Sequence, residues 1–118
     1  MKGNLKCPCC SQGDISNRLK SIIQTVEQIL GTELTIKSGY RCKKYNALVG
    51  GSSDSAHMKG LAADISFDNN VLQSRLISLF TPVVTGIGIG DGYIHVDIDD
   101  KPKRTWICKK SEGPVGDI

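Results

Sequence analysis

The chain has 118 residues and a formal net charge of +3. A hydrophobic fraction of 39% and a charged fraction of 23% exclude the disordered and fibrous classes and predict a single domain over residues 1–118. No apolar run approaches the roughly 20 residues of a membrane span, and the opening MKGNLKCPCC lacks the apolar stretch of a secretory signal. We therefore expect cytoplasmic synthesis and no membrane span.

The cysteines are odd in number, so at least one thiol is free within the chain. They are Cys7, Cys9, Cys10, Cys42 and Cys108. The CPCC stretch in the N-terminal segment 1–13 has a C-x-C-C spacing, which differs from the C-x2-C knuckle of ordinary structural zinc sites. Two interpretations stay open for these residues: reduced, partly buried cysteines, or a second metal bound by thiolates.

The first half of the chain begins with a helix and a strand. Apolar residues spaced by three and four predict a helix from Asp14 to Leu30, with Asp14 as its cap and Gly31 as its left-handed end. LTIKS, residues 34–38, alternates apolar and polar positions and predicts a strand. A short helix is expected over Lys43 to Val49.

A second strand and a second main helix follow the loop GGSSDS. In AADISF, residues 62–67, period two buries Ala63, Ile65 and Phe67 and turns Asp64 to the opposite side. NNVLQSRLISLF, residues 69–80, has helical spacing after two capping asparagines.

The last third of the chain predicts a hairpin. Asp91-Gly92 separates strands expected at 84–90 and 93–98, and places Tyr93, His95 and Asp97 on the face away from the core. GIGIG lacks the G-x-G-x-x-G spacing and leads into a hairpin, so nucleotide binding is not expected. RTWIC predicts a final strand, and residues 109–118 a flexible tail. The fold class is α+β, a small antiparallel sheet against two main helices.

The chain has two histidines, and both fit one metal-binding pattern. A catalytic zinc site takes three protein ligands and leaves one position open. Asp64 and His95 are predicted on the non-core sides of two strands, and His57 precedes the first of these strands by a short loop. Gly60 and the small residues after it would let that loop fold back, so His57, Asp64 and His95 are the predicted zinc ligands.

A family resemblance supports this set. SGYRCKKYNALVGGSSDSAHMKGLAADI and the later YIHVD resemble the zinc D-Ala-D-Ala carboxypeptidase and L-Ala-D-Glu endopeptidase family, which trims bacterial cell-wall peptides and includes phage endolysins. The resemblance spans residues 34–97 and implies the hedgehog/D-Ala-D-Ala peptidase fold. The family signature S-x-H-x-x-G-x-A-x-D is met at every fixed position, by Ser55, His57, Gly60, Ala62 and Asp64.

The resemblance also implies roles for other residues. Arg41 matches the arginine that grips a substrate carboxylate or carbonyl, with a structural salt bridge as its alternative role. Ser55 matches a polar contact near the substrate, and we add Tyr93 as a substrate-binding candidate because it shares the face of His95. The implied partner is a peptidoglycan peptide, without nucleic acid, bound by a monomer.

The general base of the family has no direct counterpart in this chain. Many relatives have an acidic residue three positions before the last histidine, where this chain has Gly92. Asp91 in the turn and Asp97 on the strand face of His95 are the two candidates, of which Asp91 is preferred; Asp97 would otherwise hydrogen-bond His95.

Three functions therefore stay open. The first is a zinc peptidase that acts on the cell wall and is encoded by a phage or its host. The second is a noncatalytic zinc-binding module of a cell wall or virion, favoured by Gly92. The third is a small basic metal protein built around CPCC that contacts nucleic acid.

Overall fold

The computed structural model describes residues 1–108, so the predicted tail at 109–118 lies outside the described residues. The helices are α1 (Asn17–Leu30), α2 (Lys43–Leu48) and α3 (Asn70–Phe80), with a short 3-10 helix at Ala56–Lys59. The strands are β1 (Lys2–Gly3), β2 (Thr35–Ser38), β3 (Ala62–Ser66), β4 (Gly86–Ile89), β5 (Tyr93–Asp97) and β6 (Arg104–Ile107).

The six strands form one sheet in the order β1-β2-β3-β5-β4-β6. The four inner strands pair antiparallel with one another, and the hairpin between β4 and β5 turns at Asp91-Gly92, with Gly92 at φ 78°. This confirms the α+β class and the hairpin.

The sheet is mixed, which corrects the prediction of an antiparallel one. Both edge strands run parallel to their neighbours, β1 to β2 and β6 to β4. Strand β1 is only two residues long, Lys2 and Gly3. Its sequence lacks the apolar alternation from which a strand is predicted.

The start of α1 differs from the prediction by three residues. Ser16 is the cap: its backbone is extended and its Oγ accepts a hydrogen bond from the Leu19 N–H at 3.2 Å. Asp14 instead accepts from the Ile15 N–H and pairs with Lys20. Ile15 is buried without being helical, so its place in the apolar pattern made the predicted helix begin too early. Gly31 ends the helix in the left-handed conformation, as predicted.

The core lies between one face of the sheet and helices α1 and α3. Ala63 and Ile65 of β3 and Ile94 and Val96 of β5 face this core, which confirms the period-two assignment of both strands. Their neighbours Asp64 and His95 consequently lie on the opposite face. Within residues 1–108, no helix is both long enough and apolar enough to cross a lipid bilayer.

Two positions of α3 test the packing. Leu76 is fully buried and Val71 is 72% exposed on the same helix. We expect Leu76→Ala to lower the free energy of unfolding by about 2–5 kcal/mol, since it leaves a cavity, and Val71→Ala to change it by less than about 0.5 kcal/mol. Urea unfolding followed by circular dichroism measures both, and equal effects would contradict the described core.

Candidate metal centre

The centre starts from one cross-strand pair. Asp64 of β3 lies directly opposite His95 of β5 in the antiparallel register. Side chains at such paired positions leave the same face of the sheet with their Cβ atoms about 5 Å apart. Both residues are buried although they point away from the helical core.

His57 reaches this pair from the 3-10 helix. Ser55 caps that helix, with its Oγ accepting from the His57 N–H at 3.2 Å. Gly60 ends it at φ 71°, and a Cβ there would come within 2.7 Å of the Asp14 carbonyl oxygen. Only glycine suits this position, as the predicted fold-back of the loop requires.

The three predicted ligands meet around one carboxylate oxygen. Asp64 Oδ1 lies 3.2 Å from His57 Nε2 and 3.0 Å from His95 Nδ1. One donor atom from each of the three residues lies within 4.8 Å of the other two. The centroids of the two imidazole rings are 5.2 Å apart.

The far side of each imidazole is fixed by an acceptor. His57 Nδ1 lies 2.7 Å from the Gly39 carbonyl oxygen, and His95 Nε2 lies 2.8 Å from Asp97 Oδ2. A carbonyl can only accept, so His57 donates from Nδ1 to Gly39 and presents its Nε2 to the centre. Such outer hydrogen bonds are the ones that orient metal-binding histidines, so the donor set fits a metal ion.

Burial, hydrogen bonds and neighbouring charges shift the pKa values of Asp64 and His95. Burial raises the pKa of Asp64, but attraction to His57 and hydrogen bonds from both histidines outweigh it and hold that pKa below its usual value. Burial lowers the pKa of His95, but the carboxylates of Asp64 and Asp97 raise it by more than burial lowers it, to about 9. A proton on His95 Nδ1 therefore occupies the side of the ring that faces the other donors.

Arg41 lies behind the centre and is 1% exposed. Its Nη2 is 3.4 Å from Asp64 Oδ2, its Nε donates to Ser38 Oγ, and its Nη1 lies 3.4 Å from Asn46 Oδ1. These contacts match the alternative of a structural salt bridge, in which the guanidinium orients Asp64. The substrate role that the resemblance implied stays a prediction.

Of the other predicted site residues, two line the cavity beside the centre and two do not. Ser55 and Asp97 line a cavity of about 570 Å³ beside His57 and His95. Tyr93 is buried on the site face of β5, with Lys37 Nζ 4.4 Å from its ring centroid, and does not line this cavity. Asp91 is exposed in the hairpin turn, also away from the cavity lining.

All four residues of β6 line the cavity, and none was predicted as a site residue; Arg104 and Trp106 make contacts with the site. Trp106 lies with its ring centroid 5.2 Å from that of His95, and Arg104 Nη2 is 2.8 Å from Asp97 Oδ2. The guanidinium carbon of Arg104 is 5.1 Å from the Trp106 ring centroid. Their alternate positions in RTWIC could have indicated a shared face, but the sequence does not reveal that β6 joins the sheet beside β4.

Glycines on β4 make room for these side chains. Gly86 pairs with Arg104 and Gly88 with Trp106. A Cβ on Gly86 would collide with Asp97 Oδ2, and one on Gly88 would approach the Trp106 ring to 2.9 Å. Gly86 and Gly88 therefore leave space for the side chains of Asp97, Arg104 and Trp106.

The sequence model of the Peptidase M15 family matches residues 4–97, which include all three donor residues. A comparison with curated proteins finds no match. The family match and the His-Asp-His donor set indicate a metal-dependent peptidase. The chain belongs to the Peptidase M15 family.

The protonation of His95 can be measured on chelator-treated protein. We expect the His95 imidazole to titrate with a pKa of about 9. Because this pKa exceeds the value of about 6.5 in an unfolded chain, its ion pairs stabilise the metal-free fold fully below about pH 6.5 and cease to do so as the pH rises through about 9. NMR titration, assigned with His57→Gln, would contradict this if His95 titrated at or below its unfolded value.

Proposed function

We propose that the chain is a zinc-dependent peptidase that hydrolyses an amide bond in the stem peptides of bacterial peptidoglycan. The observation that carries the proposal is the convergence of His57, Asp64 and His95 beside an open cavity. Membership of a peptidase family supports the reaction class. Peptidoglycan as the substrate rests on the motif resemblance.

Zinc is the metal we propose for this centre. Two imidazole nitrogens and one carboxylate oxygen are a donor set typical of catalytic zinc, which keeps a further position for water or substrate. His57 and His95 both line the cavity; His95 is the most exposed of the three donor residues, at 7%, whereas Asp64 is fully buried. A substrate would approach from the side of His95.

The chemistry that a bound zinc ion supplies is polarisation of the scissile carbonyl and activation of a water molecule. The chain supplies the surroundings of the reaction. Trp106 gives the cavity an apolar wall, and the Arg104 guanidinium, which uses one Nη2 contact on Asp97, has further N–H donors for a substrate carboxylate. Stem peptides carry such carboxylates.

Asp97 is suited to positioning His95. Its Oδ2 contacts His95 and Arg104, and its Oδ1 accepts from the Asp99 N–H at 3.2 Å. Burial raises its pKa, but the hydrogen bond from His95 and the nearby charges lower it to about 2, so this carboxylate is a weak base. We accordingly propose Asp91 as the general base and Asp97 as a positioning residue.

Digestion of purified peptidoglycan tests the function. We expect the wild-type protein to release new amine groups, with mass spectrometry of the muropeptides identifying the bond cleaved, and chelation to abolish the release. His57→Ala and His95→Ala should lose zinc at this centre and lose activity together, because each removes one of three ligands. Undiminished hydrolysis by either variant would contradict the assignment.

Asp91→Asn and Asp97→Asn form a matched pair, since each removes one charge and keeps the shape. We expect Asp91→Asn to keep zinc and to lower the rate by about 100-fold. Asp97→Asn should weaken zinc binding by about tenfold or more, because a neutral amide supports His95 less well than a carboxylate. A normal rate for Asp91→Asn, with zinc retained, would move the proton transfer to Asp97.

A noncatalytic cell-wall or virion module is the second candidate. It is favoured by Gly92, which stands where many relatives carry the acidic residue, and by the position of Asp91 away from the cavity lining. Zinc binding without any release of amines from peptidoglycan would support it. For either candidate we propose a monomer that meets the cell wall after cytoplasmic synthesis, encoded by a phage or its host.

A further inference from the structure

Four of the five cysteines gather on the side of the fold where the N-terminal segment meets α2. The cluster consists of Cys7, Cys9, Cys10 and Cys42. Cys9 Sγ lies 3.6 Å from Cys7 Sγ and 3.4 Å from Cys42 Sγ, and all four sulfur atoms lie within 4.8 Å of one another. Cys7 is buried, and Cys9 and Cys10 are exposed.

Backbone hydrogen bonds shape this cluster. The Ser11 N–H donates to the Cys7 carbonyl at 2.7 Å, and the Cys7 N–H donates to the Gln12 carbonyl at 3.0 Å, which closes a tight turn around the CPCC stretch. The Cys42 N–H lies 3.4 Å from Cys7 Sγ. Backbone hydrogen bonds therefore fix the turn that carries Cys7, Cys9 and Cys10 and place Cys42 beside it.

The sulfur spacing is that of a tetrahedral metal site. Zinc–sulfur bonds of about 2.3 Å in a tetrahedron place the sulfur atoms about 3.8 Å apart, within the range observed here. Cys7 and Cys10 also stand in the C-x2-C spacing, with Cys9 between them, so the N-terminal segment does contain a knuckle pattern. Cys9 Sγ has two sulfur neighbours at nearly equal distances. A disulfide would pair it with only one of them.

We propose that Cys7, Cys9, Cys10 and Cys42 bind a second zinc ion in a structural, four-sulfur site separate from the His57, Asp64 and His95 centre. Four protein ligands fill a tetrahedral coordination sphere and leave no position for a substrate. Thiolates are soft ligands that select zinc over magnesium or calcium.

The site would brace the loop that supports the peptidase centre. Cys42 follows directly after Gly39, Tyr40 and Arg41, and the Tyr40 N–H donates to the Leu5 carbonyl at 3.0 Å. Gly39 accepts from His57 and Arg41 contacts Asp64. A metal that ties segment 7–10 to Cys42 thus fixes the chain next to two supports of the His-Asp-His set.

Cys42→Ser is the sharpest test because it separates the two roles of this residue. Cys42 caps α2, with its Sγ accepting from the Tyr45 N–H, and serine is itself a favoured cap. The variant should therefore keep the helix and lose the metal ligand. Cys108→Ser is the matched control, since Cys108 lies on the cavity side and outside the cluster.

Metal analysis of the purified full-length protein should give two zinc ions for the wild type and Cys108→Ser, and one for Cys42→Ser. The cobalt-substituted wild type should show intense thiolate-to-cobalt absorption that Cys42→Ser loses and His57→Ala keeps. We also expect Cys42→Ser to unfold at a lower temperature than Cys108→Ser, because metal binding stabilises the folded state.

Two results would overturn the proposal: unchanged zinc content in Cys42→Ser, or thiol counting and intact mass that show disulfides among these cysteines in protein purified under reducing conditions. If Cys42→Ser does not fold, the exposed Cys9→Ser gives the same comparison. The outcome is independent of peptidase activity, because the cobalt signal of the cysteine site is read in the His57→Ala variant.

Discussion

The structure depends on one buried carboxylate. Asp64 is fully enclosed, and its carboxylate lies within hydrogen-bond distance of two imidazoles and an arginine. An isolated charge in such a place would be strongly destabilising, so the fold is stable only with its cationic partners in position. Asp64 thereby joins three segments of the chain. They are the loop at 39–41, the 3-10 helix and β5.

The sequence predicted that Asp64 and His95 lie on one side of the sheet, because strand geometry is simple. Period two in AADISF and YIHVD fixes which side chains share a face, and antiparallel pairing then sets Asp64 opposite His95. The same argument gave the core residues of β3 and β5. His57 was harder to place by physics alone, and its position followed from the resemblance and from the small residues around Gly60.

What the sequence did not predict depends on long-range pairing or on competition between neighbouring residues. Nothing in Lys2 and Gly3 signals a strand, and nothing in RTWIC says that it lies parallel to β4. Asp14 and Ser16 are both good caps, and the choice between them depends on the backbone at the start of the helix. The burial of Arg41 behind Asp64 can be seen only once the chain is folded.

The two glycines of β4 have a wider consequence. Because Gly86 and Gly88 offer no side chains, residues from the strands on either side reach across β4 and touch one another, as Arg104 does with Asp97. Arg104, which follows the hairpin, therefore contacts Asp97 across β4, and Asp97 in turn contacts His95. Positions 86 and 88 thus restrict sequence change as severely as a ligand does, although neither could ever bind an ion.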